Sequence, residues 1–158
     1  MGTRCGDIDP GVILYLLTHY SLSAEEVSDL LYKKSGLLGV SGETNNMRKL
    51  LASNDLACRQ AVDLFCYQVN RHIGQLAAEL GGLDQIIFTA GIGENSANIR
   101  AKICNLADWL GIQIDTQANE NNETTISNQD SSVEISVIPT NEAMMIAKHT
   151  LNIVTSNA

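Results

Sequence analysis

A short apolar run framed by glycines constrains the fold of this chain more than any other feature. Residues 86–89 read IIFT, with a glycine pair at 81–82 before them and Gly91 and Gly93 after them. A β-branched and aromatic run of this length, bounded by chain-breaking residues, is typical of a buried parallel strand. Because this strand leads through a turn into a helical pattern, the sequence indicates an α/β fold.

A second strand is predicted toward the C-terminal end. Residues 133–137 alternate between apolar and polar side chains, and Pro139 stops the run. Both strands lead into helices, so we expect them to lie parallel in one sheet. The helix after the first strand is expected to be capped by Asn95 or Ser96 and to extend through Trp109, and the last helix to be capped by Thr140 or Asn141.

Two helices are predicted in the N-terminal part of the chain. Asp9 and Pro10 suit the cap and first position of a helix whose broad apolar face we expect to be largely buried. Ser23 and Glu26 have the spacing of a capping box at the start of the second helix, and Gly36 is its expected stop.

The middle of the chain combines glycine-rich, helical and polar stretches. Residues 35–42 contain three glycines and are expected to form a loop, after which Asn45 caps a short helix at 47–51. Between residues 55 and 80 apolar side chains recur at helical spacing until a glycine pair ends the pattern. The polar residues 115–132 are expected to form an exposed loop without a chemical role.

Composition excludes several classes of protein. The 158 residues, 44% of them hydrophobic, fit one compact domain. A net charge of −8 would repel a nucleic-acid backbone or an anionic membrane, although a local arginine and backbone amides can still bind a small anion. The four cysteines lack metal-ligand spacing, and neither a leader pattern nor a membrane-length apolar run is present. These features predict a cytoplasmic protein with reduced cysteines.

The glycine turn after the first strand is one candidate site. Gly91 and Gly93 lack Cβ atoms, so a flat base or a phosphate could lie against their backbone. The helix that follows would add amide donors at its N-terminus. The alternative is that these glycines serve only the conformation of a tight strand-to-helix turn.

Arg4 is a second candidate. It lies between Gly2 and Gly6, which keep neighbouring side chains away, as a guanidinium that contacts a phosphoryl group requires. The alternative is an exposed ion pair with Asp7 or Asp9. Spacing along the chain does not separate these two interpretations.

Glu142 is a third candidate. It follows a strand, a proline and a helix cap, so its carboxylate is expected at the C-terminal end of a strand, where α/β sheets bind ligands. There it could hold Mg²⁺ through water, because this ion keeps much of its hydration and takes few carboxylates. The alternative is a surface glutamate that complements the helix dipole.

Four segments together point to a known family. Residues 1–10 read MGTRCGDIDP, 33–39 read KKSGLLG, 88–96 read FTAGIGENS and 137–142 read VIPTNE. In this order they resemble the acetate kinase family, whose MGTRSGDxDP signature has serine where this chain has Cys5. The resemblance covers essentially the whole chain and favours the functional interpretation of each candidate.

The resemblance implies a fold and a reaction. The expected fold is an incomplete ribonuclease-H-like domain of the sugar-kinase, Hsp70 and actin superfamily, mostly helical with two main strands. The implied reaction is direct in-line phosphoryl transfer from ATP to acetate. Arg4 would stabilise the transferring phosphoryl group and Glu142 would support Mg²⁺. The residues expected to bind the nucleotide are Asn46, Met47, Arg48, Gly91, Ile92, Gly93, Glu94 and Asn95, with Asn46 departing from the family's aspartate.

The family's N-terminal domain and the opening strands of its second domain have no counterpart in this sequence. We therefore expect residues 1–158 to be the C-terminal part of the second domain, inactive alone and homodimeric. The alternatives are a non-catalytic nucleotide-binding or dimerisation module, or part of a propionate or butyrate kinase.

Overall fold

The computed structural model describes residues 2–156, so Met1, which opens the first motif, lies outside it together with residues 157 and 158. Two compact units make up the chain, one ending at His72 and the other beginning at Ile73, where composition predicted a single compact domain. The elements are α1 (Pro10–Thr18), α2 (Ala24–Lys33), α3 (Gly36–Ser41), α4 (Met47–Ala52), α5 (Leu56–Leu80), β1 (Gln85–Phe88), α6 (Ala90–Asn95), α7 (Ala97–Leu106), a 3₁₀ turn (Asp108–Leu110), α8 (Thr116–Glu120), β2 (Glu134–Val137) and α9 (Glu142–Ser156).

The first two helices begin at the predicted caps. The Asp9 carboxylate accepts a hydrogen bond from the Gly11 amide, and Ser23 and Glu26 form the reciprocal capping box. The expectation that α1 is largely buried was wrong, since none of its residues is buried and Leu14 is 61% exposed. An apolar helical face predicts burial only where other elements cover it, and α1 is covered only in part, with Ile13, Leu16 and Leu17 half-buried.

Residues 36–41 form a helix, so the loop expected at 35–42 was wrong. The helix α3 buries Leu37 and ends at Gly42, whose left-handed backbone (φ 66°) closes it. Burial of an apolar residue here outweighs the low helix propensity of glycine. The α2 helix ends at Lys33, and the cap of α4 is Asn46 rather than Asn45.

The long helix α5 confirms the helix predicted for residues 55–80. The Asp55 carboxylate accepts a hydrogen bond from the Ala57 amide at its start, and Gly81 follows its last residue in the left-handed region. Four side chains at helical spacing fix its buried face in the first unit. They are Cys58, Ala61, Val62 and Cys66.

The two predicted strands pair in parallel, as expected, but the burial predicted for β1 was wrong in part, since Ile87 is 50% exposed. Ile86 lies opposite Ile135 and Phe88 opposite Val137. The outer edge of β2 is covered by an extended segment, because the Ile126 amide donates to the Ile135 carbonyl at 2.8 Å. No strand in residues 2–156 pairs with the outer edge of β1. The strand-to-helix connection from β1 therefore stands at an open sheet edge.

Two other expectations for the second unit were wrong. The α7 helix stops at Leu106, short of Trp109, because the chain tightens into a 3₁₀ turn that left-handed Gly111 closes. Residues 115–132 are not simply an exposed loop, since they contain α8 and the fully buried Ile126. None of the helices described in residues 2–156 is long and apolar enough to cross a membrane.

Candidate functional site

Arg4 lies in the first unit on a segment that backbone hydrogen bonds fix. The carbonyls of Gly2 and Thr3 accept hydrogen bonds from the amides of Leu38 and Ser35, at 3.0 and 2.9 Å. One residue after Arg4, the Cys5 amide donates to the last turn of α2. The segment cannot move without losing these bonds, so the base of the Arg4 side chain has a defined position.

The Arg4 guanidinium is exposed and has no carboxylate partner in residues 2–156. Its Cζ atom lies 5.5 Å from the centre of the Tyr32 ring, a cation–π contact that leaves its hydrogen-bond donors available. The alternative ion pair with Asp7 or Asp9 is absent from this part of the chain, and Asp7 instead faces His72 at 3.9 Å. An uncompensated guanidinium on a fixed segment can bind an anionic group.

A cavity of about 80 Å³ adjoins the Arg4 segment. Its wall combines Arg4, Asp7 and His72 with apolar side chains from α3 and α5, among them Leu37 and Phe65. Arg4 therefore borders both solvent and this partly open cavity within the first unit.

The three candidate residues at the start of α4, Asn46, Met47 and Arg48, have different environments in the structure. The Asn46 Oδ1 atom accepts hydrogen bonds from the amides of Arg48 and Lys49, at 3.0 and 3.3 Å, so it caps the helix. Met47 is buried in the core of the first unit, whereas Arg48 is exposed. Of these three side chains, the Arg48 guanidinium is the one presented to solvent as a cation.

The segment 91–95 in the second unit is a helical turn rather than the open glycine turn that the sequence predicted. The left-handed residue that redirects the chain after β1 is Ala90 (φ 58°), which is uncommon for a residue with a Cβ atom. Sequence reasoning assigned this turn to Gly91 and Gly93 because glycine is the usual left-handed residue.

Gly91 and Gly93 have different surroundings. A Cβ atom at Gly93 would approach the Phe88 backbone to 3.3 Å, so α6 packs tightly against β1 at this glycine. A Cβ atom at Gly91 would meet nothing within 4 Å. The protein itself does not require a bare backbone at Gly91, which leaves that surface open to a ligand.

Glu94 joins the glycine segment to the start of the last helix. Its Oε1 atom accepts hydrogen bonds from the Thr140 amide at 2.8 Å and the Thr140 hydroxyl at 3.0 Å. The bond from the Thr140 amide, aided by the one from its hydroxyl, holds the pKa of the Glu94 carboxyl below its ordinary value. Two candidates that are distant in sequence, residues 91–95 and the loop leading to Glu142, are thereby brought together.

Glu142 is exposed in the first turn of α9, at the C-terminal side of β2. No group of three or more histidine, cysteine, aspartate or glutamate side chains suited to a metal occurs in residues 2–156. A lone carboxylate of this kind fits Mg²⁺, which retains most of its water, and does not fit a metal that needs several protein ligands.

Sequence reasoning missed Arg100, which is completely buried in the second unit. Its Nη1 atom donates hydrogen bonds to the carbonyls of Gly93 and Glu94, at 2.8 and 3.0 Å. The signal was present in the sequence, because Arg100 is adjacent to Ile99 and precedes Ile103 by three residues on the buried face of α7. A charged residue on such a face indicates a buried polar cluster.

Comparison with known proteins shows the same family in sequence and in structure. The model of the acetokinase family matches residues 1–148. The acetate kinase of Rickettsia felis is 52% identical over 151 residues, which are 96% of this chain and 39% of that protein.

Solved structures agree with the sequence relatives. The acetate kinase of Porphyromonas gingivalis superposes with a TM-score of 0.90 at 38% identity, covering 98% of this chain and 40% of that one. A propionate kinase from Francisella tularensis superposes with a TM-score of 0.87 at 41% identity, covering 93% of this chain and 38% of that one. The expected fold class, a partial α/β domain of the sugar-kinase type, is confirmed. This chain spans about two fifths of the length of its relatives, and it belongs to the acetokinase family.

Proposed function

We propose that this chain forms the nucleotide-binding side of an acetate kinase. The enzyme would transfer the γ-phosphoryl group of ATP to a carboxylate oxygen of acetate, so that the bond to ADP breaks as the bond to acetate forms. The observation that carries the proposal is the Arg4 guanidinium, which is exposed and has no carboxylate partner in residues 2–156. Backbone hydrogen bonds fix the segment on which it lies, and the chain belongs to the acetokinase family. Such a group can stabilise the charge that spreads over the transferring phosphoryl oxygens.

Each unit, taken by itself, carries candidate contacts for the nucleotide. In the second unit the uncovered backbone at Gly91 offers a surface for the adenosine, with Ile92 and Asn95 beside it. In the first unit Arg48 would provide a cation, while Asn46 and Met47 hold the start of α4. Glu94 is engaged by Thr140, so we assign it to positioning this wall.

Glu142 is the residue that would hold Mg²⁺, through water. When bound, the ion would neutralise part of the phosphate charge. The Glu142 side chain keeps its carboxylate exposed at the start of α9, and the Glu94–Thr140 hydrogen bonds fix the loop that precedes it. This geometry supports a carboxylate of defined position at the edge of the nucleotide wall.

We propose that the chain alone does not catalyse, because it spans about two fifths of its relatives. A cytoplasmic location is proposed as well, supported by four cysteines that form no disulfide within residues 2–156. We also propose that the chain self-associates. A propionate kinase is the second candidate, supported by the Francisella tularensis structure.

Replacing Gly91 by alanine tests the proposed nucleotide wall. The added methyl group meets no protein atom within 4 Å, so we expect unchanged or slightly raised thermal stability and weakened ADP binding in calorimetry. The Gly93→Ala variant is the matched comparison, and should lose stability because its methyl group would press on the Phe88 backbone. An ADP affinity that is undiminished in Gly91→Ala would contradict the proposed contact between the nucleotide and Gly91. If the unchanged chain binds no ADP, the proposal that the isolated chain binds nucleotide is refuted.

A further inference from the structure

The buried guanidinium of Arg100 is held entirely by uncharged oxygens. Its Nε atom donates to Asn119 Oδ1 at 2.7 Å, and its Nη2 atom donates to the Asn119 carbonyl at 2.8 Å and to Asn122 Oδ1 at 2.7 Å. Its Nη1 atom donates to the carbonyls of Gly93 and Glu94. No carboxylate of residues 2–156 takes part, although a buried cation is costly unless its donors are satisfied.

Within residues 2–156 no ionised acidic side chain neutralises the Arg100 guanidinium. Burial lowers the pKa of Arg100, but an arginine starts so high that it stays protonated. One turn along α7, burial raises the pKa of the Cys104 thiol to about 12, so that thiol is neutral and supplies no negative charge. The hydrogen bonds to Asn119, Asn122 and the α6 carbonyls therefore carry the whole compensation.

Each side of the guanidinium meets a different part of the second unit. On one side it binds the last turn of α6, where carbonyl groups lack partners within the helix and favour a cation. On the other side it binds α8 and the turn after it, where Asn122 adopts a left-handed backbone (φ 53°). The side-chain Nδ2 atom of Asn119 also donates to the Ala97 carbonyl at 2.9 Å, which ties α8 to the start of α7.

We infer that Arg100, Asn119 and Asn122 form a clamp that fixes the segment 91–95 and so sets the shape of the proposed nucleotide wall. They are positioning residues, since Arg100 and Asn119 are buried and act through the backbone of Gly93 and Glu94. The inference rests on the proposed function for its nucleotide part and on geometry for its structural part. It gives the polar segment 115–132 a role in the site.

Amide hydrogen exchange of the 158-residue chain, resolved by peptide, tests the clamp. In Asn122→Ala we expect the amides of residues 91–96 to exchange on the order of tenfold faster, as suits loss of one hydrogen bond to a charged group. Peptides from α2 in the first unit should not change. Asn121→Ala is the matched control, because the Asn121 side chain makes only long, exposed contacts and none with Arg100. It should exchange like the unchanged chain.

Conservative variants separate positioning from general stability. Asn122→Asp retains an acceptor for the guanidinium and should keep slow exchange at 91–96. Arg100→Lys retains the charge but loses the planar fork, and should exchange rapidly there. A parallel rise in every second-unit peptide of Asn122→Ala, or an unchanged rate at 91–96 in that folded variant, would overturn the clamp.

Adding ADP to the same exchange experiment distinguishes the clamp from the function on which it rests. In the unchanged chain ADP should slow exchange at 91–96, and Asn122→Ala should require a severalfold higher ADP concentration for the same protection. If ADP gives no protection in the unchanged chain, the nucleotide part of the inference is overturned. The exchange rates without ADP still decide the structural part.

Discussion

The Glu94 carboxylate accepts both hydrogen bonds that Thr140 offers, from its amide and from its hydroxyl. Because these bonds favour the ionised form, the folded-state pKa lies below the ordinary value of 4.5. The stabilisation is therefore fully present above the unfolded-state pKa and is lost as the pH falls through the folded-state pKa. Ionisation of the Glu94 carboxyl therefore strengthens the hydrogen bonds that hold the loop before Glu142.

A pH series on Glu94→Gln checks this link. The glutamine keeps one acceptor oxygen but never ionises, so its thermal midpoint should fall below that of the unchanged chain at pH 7. The difference should shrink as the pH falls below the ordinary pKa of 4.5, and vanish once the Glu94 carboxyl is protonated in the folded state as well. Glu120→Gln, an exposed change in α8, is the control and should show no such trend. A Glu94→Gln difference that stayed constant with pH would show that the ionised carboxylate does not stabilise the fold.

Residue-level sequence reasoning worked where the signal was local. The caps Asp9 and Ser23 were found from residue type and spacing, and Asn141 was one of two candidates for the last helix. Each of these side chains accepts the expected hydrogen bond. The position of Arg100 on the buried face of α7 could be found from the sequence, but its asparagine partners could not, because no local rule links α7 to α8. That link exists only after the chain has folded.

Among the elements, α4 combines a structural role with a proposed binding role. Asn46 caps it, Leu50 anchors it in the core, and Arg48 projects outward. The family's aspartate would accept the same amide hydrogen bonds and add a negative charge at the helix N-terminus. Position 46 therefore tests whether the cap alone matters or whether the charge also serves the nucleotide.

Two substitutions at Asn46 separate these contributions. Asn46→Ala should lower the free energy of unfolding in urea by about 1 kcal/mol, because two amides lose their acceptor. Asn46→Asp should keep that stability and, if the resemblance to the family's nucleotide contact holds, raise ADP affinity in calorimetry. Weaker ADP binding by a stable Asn46→Asp variant would argue against a nucleotide contact at this position.

Element prediction followed the strength of periodic patterns. The strands β1 and β2 and the helix α5 were recognised because their apolar spacing extends over the whole element. The helices α3, α6 and α8 were missed because glycine or polar composition indicated loops. They are short helices whose buried anchors, Leu37 in α3 and Asn119 in α8, became visible only in the fold.

At the scale of the whole molecule, uncovered apolar surface and an unpaired strand edge lead us to expect self-association. Ile146 and Leu151 of α9 are 67% and 62% exposed, and Ile87 on β1 is 50% exposed. Parallel strands are normally covered on both faces, and an open edge readily pairs with another chain. Either surface could join two copies.

Sedimentation velocity over a concentration series tests this expectation. We predict a dimer or larger species, which Ile87→Lys should dissociate if the strand edge is used and Ile146→Lys if the α9 face is used. Each variant serves as the control for the other. A monodisperse monomer at high concentration that unfolds cooperatively would refute the predicted association.

The four ordered motifs, and not the composition, indicated the family to which the chain belongs. Composition pointed to one compact domain, whereas the structure has two compact units that divide within α5. Such a division is invisible in the sequence because the helix pattern continues without a break across it. The motifs identified the family, while Ala90, Arg100 and the Glu94–Thr140 pair required the structure.

The most direct test of the central proposal is acetyl phosphate formation by a chimaera that joins the N-terminal part of the Rickettsia felis acetate kinase to this chain. With ATP, acetate and Mg²⁺, trapping as the hydroxamate should show turnover by the chimaera and none by this chain alone. Arg4→Ala should lower kcat by about a hundredfold or more, as loss of a group that stabilises transition-state charge does. A folded chimaera that forms no acetyl phosphate, or one that is indifferent to Arg4→Ala, would contradict the proposal.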